Sequence, residues 1–356
     1  MRRTAARLVL ISLSWAVLIG TQAASIVALS VAPALAVDPM TYIGKPPLGL
    51  PAVPVPAGNP LTKPKAELGR ALYFDPRLLS IDGSVACASC HSPGLGWSNG
   101  APVAVGVMGQ KGGRSAPVIY NTAYEDLLFW DGRSNSLEDQ AAGPIQNPIE
   151  MGQGEGNLPI VAKRLNALPS YRAWFMKVFN EPATPKNITQ AIASYERTIL
   201  SGNAPIDRFQ AGDEKALSAQ AQRGWELFKG KANCTTCHVG FNFADGDFHN
   251  LGVGMNRKKP DLGRYDVTKK DDDKGKFRTM TIREITESGP YMHDGSVATL
   301  EEVVELYDRG GDKNPNLDKQ IVPLHLTKAE KADLVALLKE GFKGEELTIV
   351  FPELPK

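Results

Sequence analysis

Cysteine is scarce in this chain, with four among 356 residues, and histidine is nearly as scarce, with five. No cysteine is left over once two short motifs are counted, Cys87-Ala88-Ser89-Cys90-His91 and Cys234-Thr235-Thr236-Cys237-His238. Charge of one sign is also missing: the formal net charge is +1, which gives no reason to expect nucleic acid as a partner. Strand-like alternation is rare, so the fold class expected is mainly α with long loops and little strand. Beyond the N-terminus no stretch is long and apolar enough to span a bilayer.

What is present starts with those two motifs. Cys-x-x-Cys-His is the attachment signal for c-type haem: two thiols bond the porphyrin and the next histidine ligates the iron. The predicted haem-binding residues are therefore Cys87, Cys90 and His91, and Cys234, Cys237 and His238. Competing readings of the cysteine pairs fare worse. Zinc ribbons place their halves much closer together than these motifs lie. A thioredoxin-type pair needs a βαβ setting, which neither motif has. Two covalent haem c groups are the expected cofactors.

The N-terminus reads as an export signal over 1–36. Arg2, Arg3 and Arg7 precede an apolar stretch from Leu8, and Ala34-Leu35-Ala36 suits cleavage. Cleavage there removes three arginines and no acid, taking the net charge from +1 to −2. The periplasm is the expected location, an uncleaved anchor the alternative. Seven prolines in 46–64 mark 37–64 as an extended tether.

The remainder reads as two cytochrome c-like haem domains, 65–204 and 205–356. A helical segment leads into each motif, Glu67 to Phe74 and Ala216 to Phe228. Ile188, Ile192, Tyr195 and Ile199 recur at helical spacing and predict the helix that closes the first domain, with Gly202 and Pro205 breaking it. Thr327 with Glu330 forms a capping box for a C-terminal helix carrying Leu334, Leu337 and Leu338 on one face.

Several further motifs share one source. Phe129-Trp130-Asp131-Gly132-Arg133, Ser136-Leu137-Glu138-Asp139-Gln140, Gly143-Pro144 and Asn147-Pro148-Ile149-Glu150-Met151-Gly152 resemble the distal-pocket segment of bacterial di-haem cytochrome c peroxidases. Pro290-Tyr291-Met292-His293-Asp294-Gly295-Ser296 and Thr299-Leu300-Glu301-Glu302 resemble that family's second-domain signature. The resemblance runs from about residue 65 to 345. It implies reduction of hydrogen peroxide at the first haem, with electrons from a small redox protein such as a cytochrome c or cupredoxin. It assigns acid–base catalysis to Glu150, pocket shaping to Gln140 and Pro144, and an electron or hole relay to Trp130. Family relatives are often homodimers.

The family also contains a MauG type, which oxidises tryptophans on a partner protein. Two positions lean that way. Where many of the peroxidases carry a blocking distal histidine, this sequence has Val107, with Met108 beside it as a weak candidate ligand. Where they carry a distal methionine for the second haem, it has Tyr307, which matches the axial tyrosine of the MauG type. An anionic phenolate favours ferric iron and lowers the potential. Protein modification is thus the alternative function; a third reading is a non-catalytic di-haem electron carrier with both irons closed. The resemblance also implies one calcium ion, held in part by the carbonyls of Ser288 and Pro290, with Ser115 where the family has asparagine. His249 and Arg264 match positions that pack around the second haem, His293 suits a supporting role there, and His325 reads as packing or surface.

Overall fold

Glycine sets how the main helices meet. In the computed structural model, which describes residues 36–356 apart from Gln153 and Glu155, α1 (Lys63–Phe74) crosses a later helix at Gly69. A Cβ there would lie 1.9 Å from the carbonyl oxygen of Ala191, so only glycine permits the approach. The export signal expected over 1–36 lies outside the described residues except for Ala36.

The helices that follow α1 are α2 (Leu137–Gln146), α3 (Asn157–Ala167), α4 (Pro169–Phe179) and α5 (Pro185–Glu196), the last opened by a capping box of Thr184 and Asn187. Leu68, Leu72, Val161, Leu165, Phe175 and Ile188 are among the residues of the core they enclose. The chain continues with α6 (Ala219–Lys229), α7 (Leu300–Asp308) and α8 (Lys328–Glu340). Here Gly224 of α6 meets α8 as Gly69 meets α5, since a Cβ would lie 2.1 Å from the carbonyl oxygen of Asp333. Trp225, Phe228, Phe243, Leu337 and Phe342 belong to the core around this second crossing. Each Cys-x-x-Cys-His motif follows a helix that meets its partner helix at a glycine, α1 or α6. Among the described residues the only sheet is the two-residue antiparallel pair β1 (Phe248–His249) and β2 (Phe277–Arg278). The fold is mainly helical with little strand, as expected.

Two expectations need adjusting. The closing helix α5 stops at Glu196, before Ile199, although Ile199 is buried along with Ile188, Ile192 and Tyr195. The proline-rich segment 37–64 is extended but is no free tether. Val37 pairs with Leu347, Tyr42 donates to Glu345 (3.0 Å), and buried Asn59 donates to Glu138 (2.6 Å) and accepts from Lys65 (2.8 Å). Proline lowers the entropy lost on ordering, so a few such bonds suffice to dock the segment. No described helix is long and apolar enough to cross a membrane.

Candidate functional site

The two Cys-x-x-Cys-His motifs fold alike. Cys87–Cys90 makes one helical turn and Cys234–Thr236 a tighter one. Each histidine donates its backbone N–H to the carbonyl of the first cysteine, at 2.9 Å for His91 and 2.8 Å for His238. Each ring Nδ1 lies 2.9 Å from a backbone carbonyl, that of Pro117 for His91 and of Phe243 for His238. A carbonyl only accepts, so Nδ1 carries the proton and Nε2 keeps a free lone pair for a metal. Burial pushes both histidines below their ordinary pKa, which keeps them neutral.

None of the four cysteines is joined to another in a disulfide. Burial pushes the Cys87 thiol far up, Cys90 to about 11 and Cys234 to about 12. A redox-active pair needs a shift in the opposite direction.

Beside the second motif lies a cavity of about 390 Å³, whose lining includes Cys234, Cys237, His238, Val303, Tyr307 and Leu324. Its surface is mainly apolar, as a porphyrin requires. Tyr307, in the last turn of α7, is half-buried, and its pKa is raised, first by desolvation and then by the nearby cysteines. Its hydroxyl has no hydrogen-bond partner among the described residues, so the cavity holds an unused oxygen ligand on a wall shared with His238.

At the first motif the geometry centres on Glu150. Its Oε1 accepts from Asn147 Nδ2 at 2.8 Å. Burial raises its pKa; the Arg133 charge and the Asn147 hydrogen bond oppose that rise. Glu150 in turn raises the Cys90 thiol, so the two groups are electrostatic neighbours. The loop where a blocking histidine was sought is fastened to the Glu150 segment: Val107 N–H donates to the Glu150 carbonyl at 2.9 Å, and Gln110 Nε2 to that of Pro148 at 3.1 Å. Val107 is buried, whereas Met108 has φ +56° and is 77% exposed. Gln140 and Pro144 are one turn apart on α2, on one face of that helix.

Trp130 lines the second cavity and donates its indole N–H to the Ser115 carbonyl at 2.8 Å. Ser115 is two residues before Pro117, whose carbonyl holds His91. One short segment therefore touches both sites. Ser115, Ser288 and Pro290 also line that cavity, but among the described residues no carboxylate does. A calcium ion held here would draw on neutral oxygens such as the carbonyls of Ser288 and Pro290.

His293 stacks on Phe277 (centroids 3.6 Å apart), its carbonyl accepts from Ser115 N–H, and burial pushes its pKa down to about 4. Arg264 donates to the carbonyls of Asp131 and Gly132 (2.8 Å each) and lies over Phe248. His325 is exposed. Two arrangements form only in the fold. His249 is held between Asp318 (2.6 Å) and Asp245 (2.9 Å), and Arg114 bridges Asp131 and Asp261. Asp318 and Asp261 are remote in sequence from the residues they bind, so no local pattern announces either pairing. Cys237, Asp245 and His249 also lie close enough to hold a metal ion, but a Cys237 sulfur tied to porphyrin is no longer a thiolate ligand.

Comparison with known proteins follows the same lines. A family model described as di-haem cytochrome c peroxidase matches residues 63–215. The methylamine utilization protein MauG of Methylorubrum extorquens is 43% identical over 85% of this chain and 85% of its own length. The chain belongs to the di-haem cytochrome c peroxidase family. Another member, the cytochrome-c peroxidase IdrP1 of Denitromonas iodatirespirans, is 42% identical over 87% of this chain and 90% of that protein. Among solved structures, a MauG-like protein associated with microbial copper homeostasis superposes with a TM-score of 0.78 at 34% identity, covering 85% of this chain and 95% of that one. Membership in this di-haem family implies haem c as the cofactor and an oxidoreductase of peroxidase type.

Proposed function

We propose that this protein is an exported, periplasmic di-haem peroxidase that reduces hydrogen peroxide to water with electrons from a small redox protein. Its haem c groups would be attached at Cys87 and Cys90 with His91, and at Cys234 and Cys237 with His238, in domains spanning 65–204 and 205–356. The observation that carries the reading is the pairing of Val107 with Glu150: a non-ligating side chain where a blocking ligand would sit, its backbone N–H fastened to the backbone carbonyl of a residue whose carboxyl is half-buried.

When bound, the haems supply the electron-transfer and Lewis-acid chemistry of O–O cleavage. The protein supplies orientation and proton movement. Pro117 fixes the His91 tautomer. Asn147 occupies Glu150 Oε1, which leaves Oε2 to take the proton from one peroxide oxygen and return it to the oxygen leaving as water. A raised pKa suits a group that must both accept and donate near neutrality. Gln140 and Pro144 bound the pocket. Trp130, held on the Ser115 carbonyl, is the relay toward the second site. Two electrons from the donor and two protons from solvent complete the reduction of one peroxide to two waters.

A second reading, oxidation of aromatic side chains on a partner protein, is favoured by Tyr307, which lines the same cavity as His238 and would be a second protein ligand for a haem held there. One experiment separates the two. The fully oxidised protein is mixed with stoichiometric peroxide, then with reduced small cytochrome c, and followed by stopped-flow absorbance. Rapid reaction followed by cytochrome oxidation supports the peroxidase. A long-lived oxidised species that ignores the cytochrome supports protein modification. No reaction before reduction refutes an open first site. In Glu150→Gln, peroxide reaction should slow by about 10²–10⁴-fold; an unchanged rate removes Glu150 from the chemistry.

A further inference from the structure

Glu196, the last residue of α5, is 6% exposed. Its Oε2 is buried without a hydrogen-bond partner among the described residues, as are Arg70 Nε on α1 and Arg197 Nε just beyond α5. Elsewhere in this region polar groups are matched. Arg197 spends its two terminal nitrogens on Glu138 (2.7 and 3.0 Å), and Lys65 donates to Asn59 and the Pro60 carbonyl. Arg197 and Lys65 are thus engaged, and an ionised Glu196, with Oε2 unbonded, would be a buried charge with little compensation.

Its neighbours connect it to the first site. A charge on Glu196 raises both the Cys87 thiol and the Tyr73 hydroxyl. Cys87 is one of the two attachment thiols, and Tyr73 donates to the His91 carbonyl at 2.8 Å. Arg197 and Glu138 of α2 bear on this carboxyl, and it bears in turn on Tyr73 of α1 and Cys87 of the motif. Glu150 is not among them.

We propose that Glu196 is a redox-linked proton acceptor: when the first haem gains one electron, the Glu196 carboxylate binds one proton, and on reoxidation it releases it. The electron comes from the one-electron donor of the proposed function and the proton from solvent; only one O–H bond forms or breaks. The inference rests on the reading of Cys87, Cys90 and His91 as a haem site. Charge explains the coupling. A ferric porphyrin core carries one net positive charge, which favours the carboxylate, and a ferrous core carries none. Burial pushes Glu196 up to about 8, with Arg197 pulling it down and Glu138 pushing it up. The ferric state lowers that value, so the coupled window extends downward from about pH 8 through neutrality.

The test is potentiometry of the full-length, haem-loaded protein between about pH 6 and 8. Mass spectrometry first establishes whether haem is attached at Cys87 and Cys90; its absence overturns the haem-site reading itself. In the loaded wild type the first-haem midpoint should fall with rising pH, by up to about 59 mV per unit, the one-electron equivalent of a tenfold change in proton activity. Glu196→Gln should abolish that slope. A flat wild-type profile, or a slope that survives in the variant, overturns the proposal. Should the variant fail to fold, redox-difference infrared spectra of glutamate-labelled wild type give the same answer: a protonated glutamate carboxyl should appear on reduction, and its absence refutes the proposal.

Discussion

Replacing Gly106 by alanine should damage catalysis more than stability. Gly106 has φ −103° and ψ −154°, an extended conformation without positive φ. It is glycine because of what lies against it. A Cβ would sit 2.0 Å from the Ile149 carbonyl oxygen and 2.6 Å from Glu150 Cα, where real contacts stay beyond 3.0 Å. The two segments must therefore separate by about 1 Å, stretching the bond from Val107 N–H to the Glu150 carbonyl. Overpacking of this kind costs about 1–3 kcal/mol, which calorimetry reads as a modest fall in melting temperature. A misplacement of about 1 Å at a reacting group costs on the order of 100-fold in rate. Stopped-flow measurement of the peroxide reaction should show that loss with both haems still attached. Gly109→Ala is the control: its φ is +72° and nothing lies within 4 Å. It should cost about 1–2 kcal/mol in left-handed strain and leave the peroxide rate alone. A wild-type rate in Gly106→Ala, or equal losses in both variants, would refute the view that this close approach positions Glu150.

Three other outcomes are expected. Tyr307→Met exchanges a phenolate for a neutral thioether, so the second-haem potential should rise in a redox titration; an unchanged potential would exclude Tyr307 as a ligand. The Glu150 pKa is already raised, and the Asn147 hydrogen bond opposes that rise. The peroxide rate should therefore climb as pH increases through the Glu150 pKa, and Asn147→Ala should move that limb to higher pH; a shift to lower pH would contradict the assignment. Arg283 and Asp207 form an ion pair whose side chains are 0% and 2% exposed, and Arg283 also donates to the Phe241 carbonyl. Arg283→Met leaves Asp207 buried and unpaired and should cost about 3–5 kcal/mol in denaturant unfolding.

Local signals were readable in the sequence because they are short. Two Cys-x-x-Cys-His motifs, the capping box at Thr327 and the isoleucine spacing before Gly202 need no knowledge of distant neighbours. Other features arise only from the fold. Segment 37–64 looks solvated because prolines make no pattern, yet Asn59 finds Glu138 and Tyr42 finds Glu345. Nothing in the sequence separates Glu196, buried at the end of α5, from Glu226, exposed on α6. Gly106 reads as another loop glycine until the Ile149 carbonyl is seen against it.

Residues 114–117 show why the two candidate sites can act together. Pro117 gives its carbonyl to His91, Ser115 gives its carbonyl to Trp130 and takes that of His293, and Arg114 bridges Asp131 and Asp261. Every partner on this strip belongs to one of the two sites or to the loops around them. Proline suits the position beside His91, because a fixed φ holds the accepting carbonyl in place and no N–H competes for a partner. A relay through Trp130 needs fixed separations more than it needs conducting groups at every step. Here one short extended segment fixes both ends: a shift of the strip that loosened Trp130 would also loosen the hydrogen bond that sets the His91 tautomer.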